Sequence, residues 1–275
     1  HRCTFCIIPF ARGNSRSIPI GKLVEQTQML IDNGYKEIVL TGVDLTSYGS
    51  DLPGQPSLGN MVGRLLKHVP DLKRLRLSSL DPVEIDADLL KLIGNEQRLM
   101  PHLHLSIQAG DDMILKRMKR RHLRKHVIDL AKQLRDIRPG IVLGADLIAG
   151  FPTETDAMFK QSLNLISEIE LVHLHVFPYS AREGTPAAKM PQVPQAMRKV
   201  RAAILRKAGQ NMLHQYLKSC VGRSERVLVE KDSVGRTEHF IPMNVKISTG
   251  PGEIIEATVT SATMTELHGS YERQS

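Results

Sequence analysis

The chain has 275 residues, 41% hydrophobic and 24% charged, with a formal net charge of +8; this balance builds a packed core and excludes a disordered chain. No apolar run approaches the roughly 20 residues a bilayer span needs, and the start lacks the order of a secretory signal, so a cytoplasmic protein is expected. Three cysteines exclude a disulfide framework, and a close pair in a reducing compartment points to metal or redox chemistry.

In chain order, the pair Cys3-Thr4-Phe5-Cys6 comes first. Short β-branched runs then alternate with helical patterns, the sequence form of βα units around a parallel sheet. Helices are predicted over Ile20 to Asn33, Leu58 to Val69, Ile85 to Ile93, Asp111 to Met118, Leu123 to Ile137 and Glu154 to Ile169. Strands are predicted over Glu37 to Thr41, Arg74 to Ser78, His102 to Gln108, Ile141 to Ile148 and Leu171 to Phe177. In parallel α/β folds the loops at the carboxyl ends of strands carry the chemistry, which marks TGVD, SSLDP, SIQAG, DLIAGFPTET and PYSAREGTP.

From Pro194 to Lys218 a long amphipathic helix follows, and beyond it Arg226 to Glu230, Ile241 to Ile247 and Glu253 to Ser261 read as strands of a small β-barrel. The pattern change places a boundary near Cys220, with domains 1–219 and 220–275. Length allows this division into a larger and a smaller unit.

Basic charge is concentrated. Lys116, Arg117, Lys119, Arg120, Arg121, Arg124 and Lys125 crowd one stretch, and no acidic residue occurs from Gly184 to Ser224. Either segment alone can be a solvated helix face; two together favour a polyanionic partner.

On spacing alone the cysteine pair is equally a zinc half-site, a redox dithiol, an iron–sulfur half-site or coincidence. His1 could add a ligand, but no second close Cys/His pair of finger-like spacing follows. Histidines such as His102, His104, His173 and His175 alternate along strands and read as structural or RNA-facing. Cys220 reads as a buried apolar residue.

The context decides among these readings. HRCTFC followed by IIPFARGNSRS, with LTGVDLTSYGSDL, LRLSSLDP, HLSIQAGDDMILKRMKRRH, DLIAGFPTET and FPYSAREGTPAA, resembles the radical S-adenosylmethionine (SAM) methylthiotransferase family along essentially the whole chain. ARGNSRS and TGVDLTSYG resemble the branch that modifies threonylcarbamoyl-adenosine in tRNA, and the terminal segment with GRTEHFIP is similar to a TRAM domain. The fold implied is a partial (β/α)6 barrel lacking its first strand, followed by a TRAM-like RNA-binding barrel. The resemblance also implies a first cluster cysteine two positions before His1 and an amino-terminal domain, both expected to lie outside this sequence.

What the family implies is a 4Fe-4S cluster bound by Cys3 and Cys6 with that third cysteine, SAM on the open iron, and a second 4Fe-4S cluster in the amino-terminal domain. SAM contacts are expected from Thr41, Gly42, Asp44, Ser106, Gln108, Asp146, Gly150 and Arg182, with Pro152 shaping the loop. Each has a structural reading as a cap, turn or ion pair. The expected reaction is methylthiolation of the adenine of N6-threonylcarbamoyladenosine beside the anticodon. tRNA would be held by Lys119, Arg120, Arg121, Arg124, Arg198, Arg201 and Arg236 through phosphate contacts. An electron donor is a further expected partner; no membrane or DNA is expected. The alternatives are an RNA-binding fragment without catalysis and a ribosomal-protein methylthiotransferase.

Overall fold

Every second residue of a strand faces the same way, and in this chain that rule separates a wet interior from a dry exterior. Along β3 (His102–Gln108), Leu103, Leu105 and Ile107 join the main apolar core, while His102, His104, Ser106 and Gln108 face the opposite side. The computed structural model describes residues 2–231, 233–246 and 250–271.

Four further parallel strands complete the array: β1 (Glu37–Leu40), β2 (Arg74–Leu77), β4 (Val142–Ala149) and β5 (Leu171–Pro178). β1 pairs with β2, and β3, β4 and β5 form a second ladder. The two ladders meet through parallel bridges at Leu75–Leu99 and Leu80–Leu105, where Leu80 donates to His104 O and Ser106 donates to Leu80 O, each at 2.8 Å. All five strands stand within two residues of their predicted ends. Among the described residues β1 has no strand on its outer side, and Val39 is exposed there.

The helices are α1 (Ile8–Arg12), α2 (Ile20–Asp32), α3 (Leu58–His68), α4 (Ala87–Asn95), α5 (Asp112–Arg117), α6 (Arg124–Ile137), α7 (Asp156–Glu168) and α8 (Gln195–Cys220). Their starts follow local chemistry. Ser57, Asp86, Asp111 and Thr155 each accept a backbone N–H of the following turn, an N-cap worth about 1 kcal/mol apiece. The cap at Asp86 explains why α4 begins later than the predicted Ile85. α1 and a 3-10 turn at Pro186–Lys189 were not expected, because each is too short to show a period. Leu58, Leu65, Leu89, Val127, Leu134 and Leu165 bury against the strands, each contributing roughly 1.5–3 kcal/mol by leaving water.

After α8 comes a closed barrel of β6 (Ser224–Lys231), β7 (Val234–Thr237), β8 (Pro242–Lys246), β9 (Ile254–Ala262) and β10 (Leu267–Ser270), in the order β10-β8-β7-β6-β9. Three of these strands were expected. β7 and β10 have four residues each, with Gly235 and Gly269 inside them, so alternation was too brief to register. Ile247, predicted in the second strand, lies outside the described residues.

The barrel caps the amino ends of the parallel strands. Arg74, fully buried, donates to the carbonyls of Arg226 at 2.8 Å and Arg236 at 3.2 Å. Arg76 donates to Thr237 O and Glu238 O at 2.8 Å and pairs with Glu37. Phe240, held at φ 64°, stacks on His102 with centroids 5.4 Å apart. Apolar packing also crosses the predicted boundary near Cys220: Val142, Val172, Leu217 and Cys220 share one cluster with Val227, Met243 and Val259.

Candidate functional site

With the amino ends capped, the carboxyl ends are left to form a cavity of about 540 Å³, within the size class of small-molecule sites. Its walls are the cysteine segment, the loop between α1 and α2, the loop after β1, and the ends of β2 and β3.

The cysteine segment is pinned from three sides. Cys6 N donates to Cys3 O at 3.1 Å, closing a turn; Thr4 N donates to Met118 O at 3.1 Å; and Ala187 N donates to Thr4 O at 3.0 Å. Thr4 Oγ1 adds a bond to Arg117 O at 2.8 Å, and Phe5 packs edge-on to Phe151. The two thiols are unbonded, half-buried and at the cavity wall. Arg120 Nη1 stands 3.7 Å from Cys3 Sγ.

Two soft sulfur donors on one turn, with a guanidinium beside them, fit two of the three ligands of an iron–sulfur cluster. A third donor is not Cys220, which is 1% exposed beneath the small barrel. His1 lies outside the described residues.

Of the predicted SAM residues, Thr41, Gly42, Asp44, Ser106 and Gln108 all line this cavity with Cys3 and Cys6. Asp44 organises its loop: its carbonyl accepts from Ser47 Oγ at 3.1 Å and its carboxylate from Thr46 Oγ1 at 3.3 Å. Gln108 has φ 70° where the β3–β4 register slips. A left-handed non-glycine residue costs about 1–2 kcal/mol, which the surrounding strand ends hold in place.

Three predicted residues stand elsewhere. Asp146 faces the array interior, where its Oδ1 meets His104 Nε2 at 3.0 Å and His175 Nδ1 at 3.2 Å. Burial alone would raise its pKa, but the bonds and charge of the two imidazoles pull it below the usual carboxylate range. Gly150 does not line the cavity: with φ 70° it lies under α8, where a Cβ would come within 2.4 Å of Arg198 Cγ. Its N–H is taken by Glu154 at 2.9 Å. Arg182 is exposed away from the cavity, its carbonyl accepting from Thr185.

The basic residues divide in the same way. Lys119 and Arg121 are exposed, Arg121 paired with Glu84. Arg236 is partly exposed, over the Phe240 ring at 4.4 Å. Four others turn inward, where the guanidinium fork spans neighbouring carbonyls and carboxylates. Arg201 bonds Glu154 at 2.8 Å and Asp156 at 2.6 Å. Arg198 donates to Tyr179 O at 2.8 Å, and Arg124 to Gln161 O at 2.9 Å, beside Glu168. Arg120, 7% exposed, bonds Asp81 at 3.0 Å and Ser106 O at 2.6 Å.

Ser79 and Asp81 in the cavity wall fall in the marked SSLDP segment but were not singled out, and sequence reasoning missed the inward role of Arg120 and the two Ser17 contacts: Gly49 N donates to Ser17 Oγ and Ser17 N to Asp51 Oδ2, each at 2.9 Å. No period signals such loop-to-loop bonds. The convergence of His104, Asp146 and His175 was also missed, although all three sit on interior positions of predicted strands.

Similarity to known proteins agrees with this architecture. The chain is 56% identical over 257 residues to the threonylcarbamoyladenosine tRNA methylthiotransferase MtaB of Rickettsia prowazekii (strain Madrid E), covering 94% of this chain and 61% of that protein. It is 34% identical to the tRNA-2-methylthio-N(6)-dimethylallyladenosine synthase of Rickettsia rickettsii (strain Sheila Smith), covering 97% and 62%. The chain thus spans about three fifths of the length of these curated relatives. Among solved structures, Streptococcus suis SuiB bound to S-adenosylmethionine superposes with a TM-score of 0.53 at 15% identity, covering 76% of this chain and 45% of that one; this likeness concerns the fold. The radical SAM superfamily profile matches residues 1–166, the stretch holding both cysteines and the first four parallel strands, so the chain belongs to the radical SAM superfamily.

Proposed function

We propose that this chain is the SAM-binding and tRNA-engaging part of a methylthiotransferase that acts on the adenine of N6-threonylcarbamoyladenosine beside the tRNA anticodon. The observation that carries the reading is the gathering of Cys3, Cys6, Thr41, Gly42, Asp44, Ser106 and Gln108 around one cavity, in a chain 56% identical to a protein named for that reaction. A 4Fe-4S cluster and SAM bound there supply the one-electron chemistry that breaks a sulfonium bond.

The chain's own residues then position and exclude. Cys3 and Cys6 hold cluster iron, Asp44 and the backbone at Thr41 and Gly42 take the SAM amino group, and Ser106 and Gln108 hydrogen-bond its ribose or carboxylate. The strand-end walls keep water from the reacting carbon. The β6–β10 barrel serves as a TRAM-like RNA-binding domain over 220–275, beside a 1–219 catalytic domain, in a cytoplasmic enzyme. Among the described residues no helix is long and apolar enough to cross a membrane. An electron donor completes the partners.

Mass spectrometry of tRNA from a strain lacking the gene tests the reading. Loss of methylthio-threonylcarbamoyladenosine, restored by the full gene and not by its Cys3→Ser variant, is the expected result; unchanged modification overturns it. Iron and sulfide reconstitution of the full-length protein, followed by absorption spectroscopy, separates it from a purely RNA-binding role.

A further inference from the structure

The interior of the parallel array holds a second constellation below the cavity. His104 on β3, Asp146 on β4 and His175 on β5 are at inward positions of three adjacent strands, with Asp146 and His175 directly paired in register. Their ligand atoms all lie within 4.8 Å of one another. Among the described residues no other group of three or more His, Cys, Asp or Glu is so gathered.

We propose that His104, Asp146 and His175 form a binding site for one first-row divalent cation, of which Zn²⁺ is the representative, separate from the cysteine site. Metal–nitrogen and metal–oxygen bonds of roughly 2.0–2.2 Å at tetrahedral or octahedral angles put neighbouring donor atoms roughly 3–3.5 Å apart. The spacings about Asp146 Oδ1 are 3.0 and 3.2 Å. Both imidazoles approach the same carboxylate oxygen, with ring centroids 4.7 Å apart and tilted by 33°, so that two nitrogens flank one oxygen and all three donors lie within 4.8 Å of one another.

One neighbour and the exposure of one ligand keep this arrangement open. Gly144 pairs with His104 across β3 and β4, and a Cβ there would lie 2.7 Å from His104 Nδ1; glycine leaves the ring its place. His175 is 63% exposed, so the third ligand borders solvent and leaves coordination positions to water or an oxygen ligand. An N2O donor set suits Zn²⁺, Co²⁺ or Fe²⁺ and not the all-oxygen preference of Mg²⁺ or Ca²⁺. The inference does not depend on the proposed reaction.

The test is Co²⁺ titration of the chelator-treated chain carrying Cys3→Ser and Cys6→Ser, which removes thiolate binding. One equivalent of Co²⁺ with visible d–d bands is expected, displaced by Zn²⁺. His175→Ala, at an exposed position, should weaken binding about tenfold or more while circular dichroism stays unchanged, and Asp146→Asn should do the same. Failure to bind Co²⁺, or binding that His175→Ala leaves intact, overturns the site. Paramagnetic broadening of the His104 and His175 ring resonances gives an independent readout that does not rely on any variant folding.

Discussion

Arg120 and Asp81 are locked together at 3.0 Å, their side chains 7% and 6% exposed, with the far nitrogen of the same guanidinium 3.7 Å from Cys3. A buried pair that loses one member leaves the other charge poorly compensated, at up to about 3–5 kcal/mol. Arg120→Ala is therefore expected to destabilise the chain by about that much, read as a lower urea midpoint. Asp81→Asn added to it should recover part of the loss; a double variant no more stable than the single one would contradict this account.

Gly150 cannot be exchanged for a residue with a side chain. Its φ of 70° is unfavourable for any Cβ, and that Cβ would meet Arg198 at 2.4 Å and its backbone Cα at 3.1 Å. Gly150→Ala should lose about 2–4 kcal/mol from the two effects together. SAM affinity should change little, since the residue lies outside the cavity, and equilibrium dialysis of the folded variant checks this.

Acid should weaken the fold before the carboxylates titrate. Burial drives His122 and His173 down to about 4 from an ordinary 6.5, and also holds His102 well below its ordinary value. These rings stay neutral when folded but take up protons once unfolded, so their contribution is complete above 6.5 and drains away as pH falls towards 4. Urea midpoints measured across that window should drop steadily, and His173→Gln should flatten the slope. A pH-independent midpoint would show that these rings are not buried as described.

Phe240 acts as a wedge between the small barrel and the strands. It lies between His102 and the guanidinium of Arg76, which is 5.1 Å from its ring. Phe240→Ala should cost about 1–3 kcal/mol and split the thermal transition into two, visible by calorimetry. A single unshifted transition would mean that the Arg74 and Arg76 bonds and the apolar cluster around Val142 and Leu217 hold the junction without the ring.

Exposed and inward arginines should behave differently towards RNA. Lys119→Ala and Arg121→Ala should each lower the salt dependence of tRNA binding by about one counterion, with folding intact. Arg201→Ala should act through stability instead, because the buried Glu154 loses the guanidinium that bonds it at 2.8 Å and Asp156 the one at 2.6 Å. Filter binding at several salt concentrations distinguishes the two.

The parallel strands were legible because burial on one side forces alternation or apolar runs, as in His102–Gln108. The cavity residues Thr41, Ser106 and Gln108 stand at strand ends, but strand-end position alone favoured a turn or cap role, and it was the family resemblance that raised Ser106 and Gln108 as ligand contacts. What was not legible was direction: Arg120, Arg124, Arg198 and Arg201 look identical to solvent-facing bases in the sequence, and only the position of distant carbonyls turns them inward. The same limit hid His104, Asp146 and His175, which are separated by 42 and 29 residues and meet only when three strands are laid side by side.

The small barrel is fastened at one end of the parallel strands, while the cysteines open at the other. β4, eight residues long, rises about 26 Å between those ends at roughly 3.3 Å per residue. Because Arg74 and Arg76 fix the junction by four backbone carbonyls, that separation is a fixed length: on the function proposed above, an RNA held by the small barrel would offer the upper mouth a nucleotide about one strand length away.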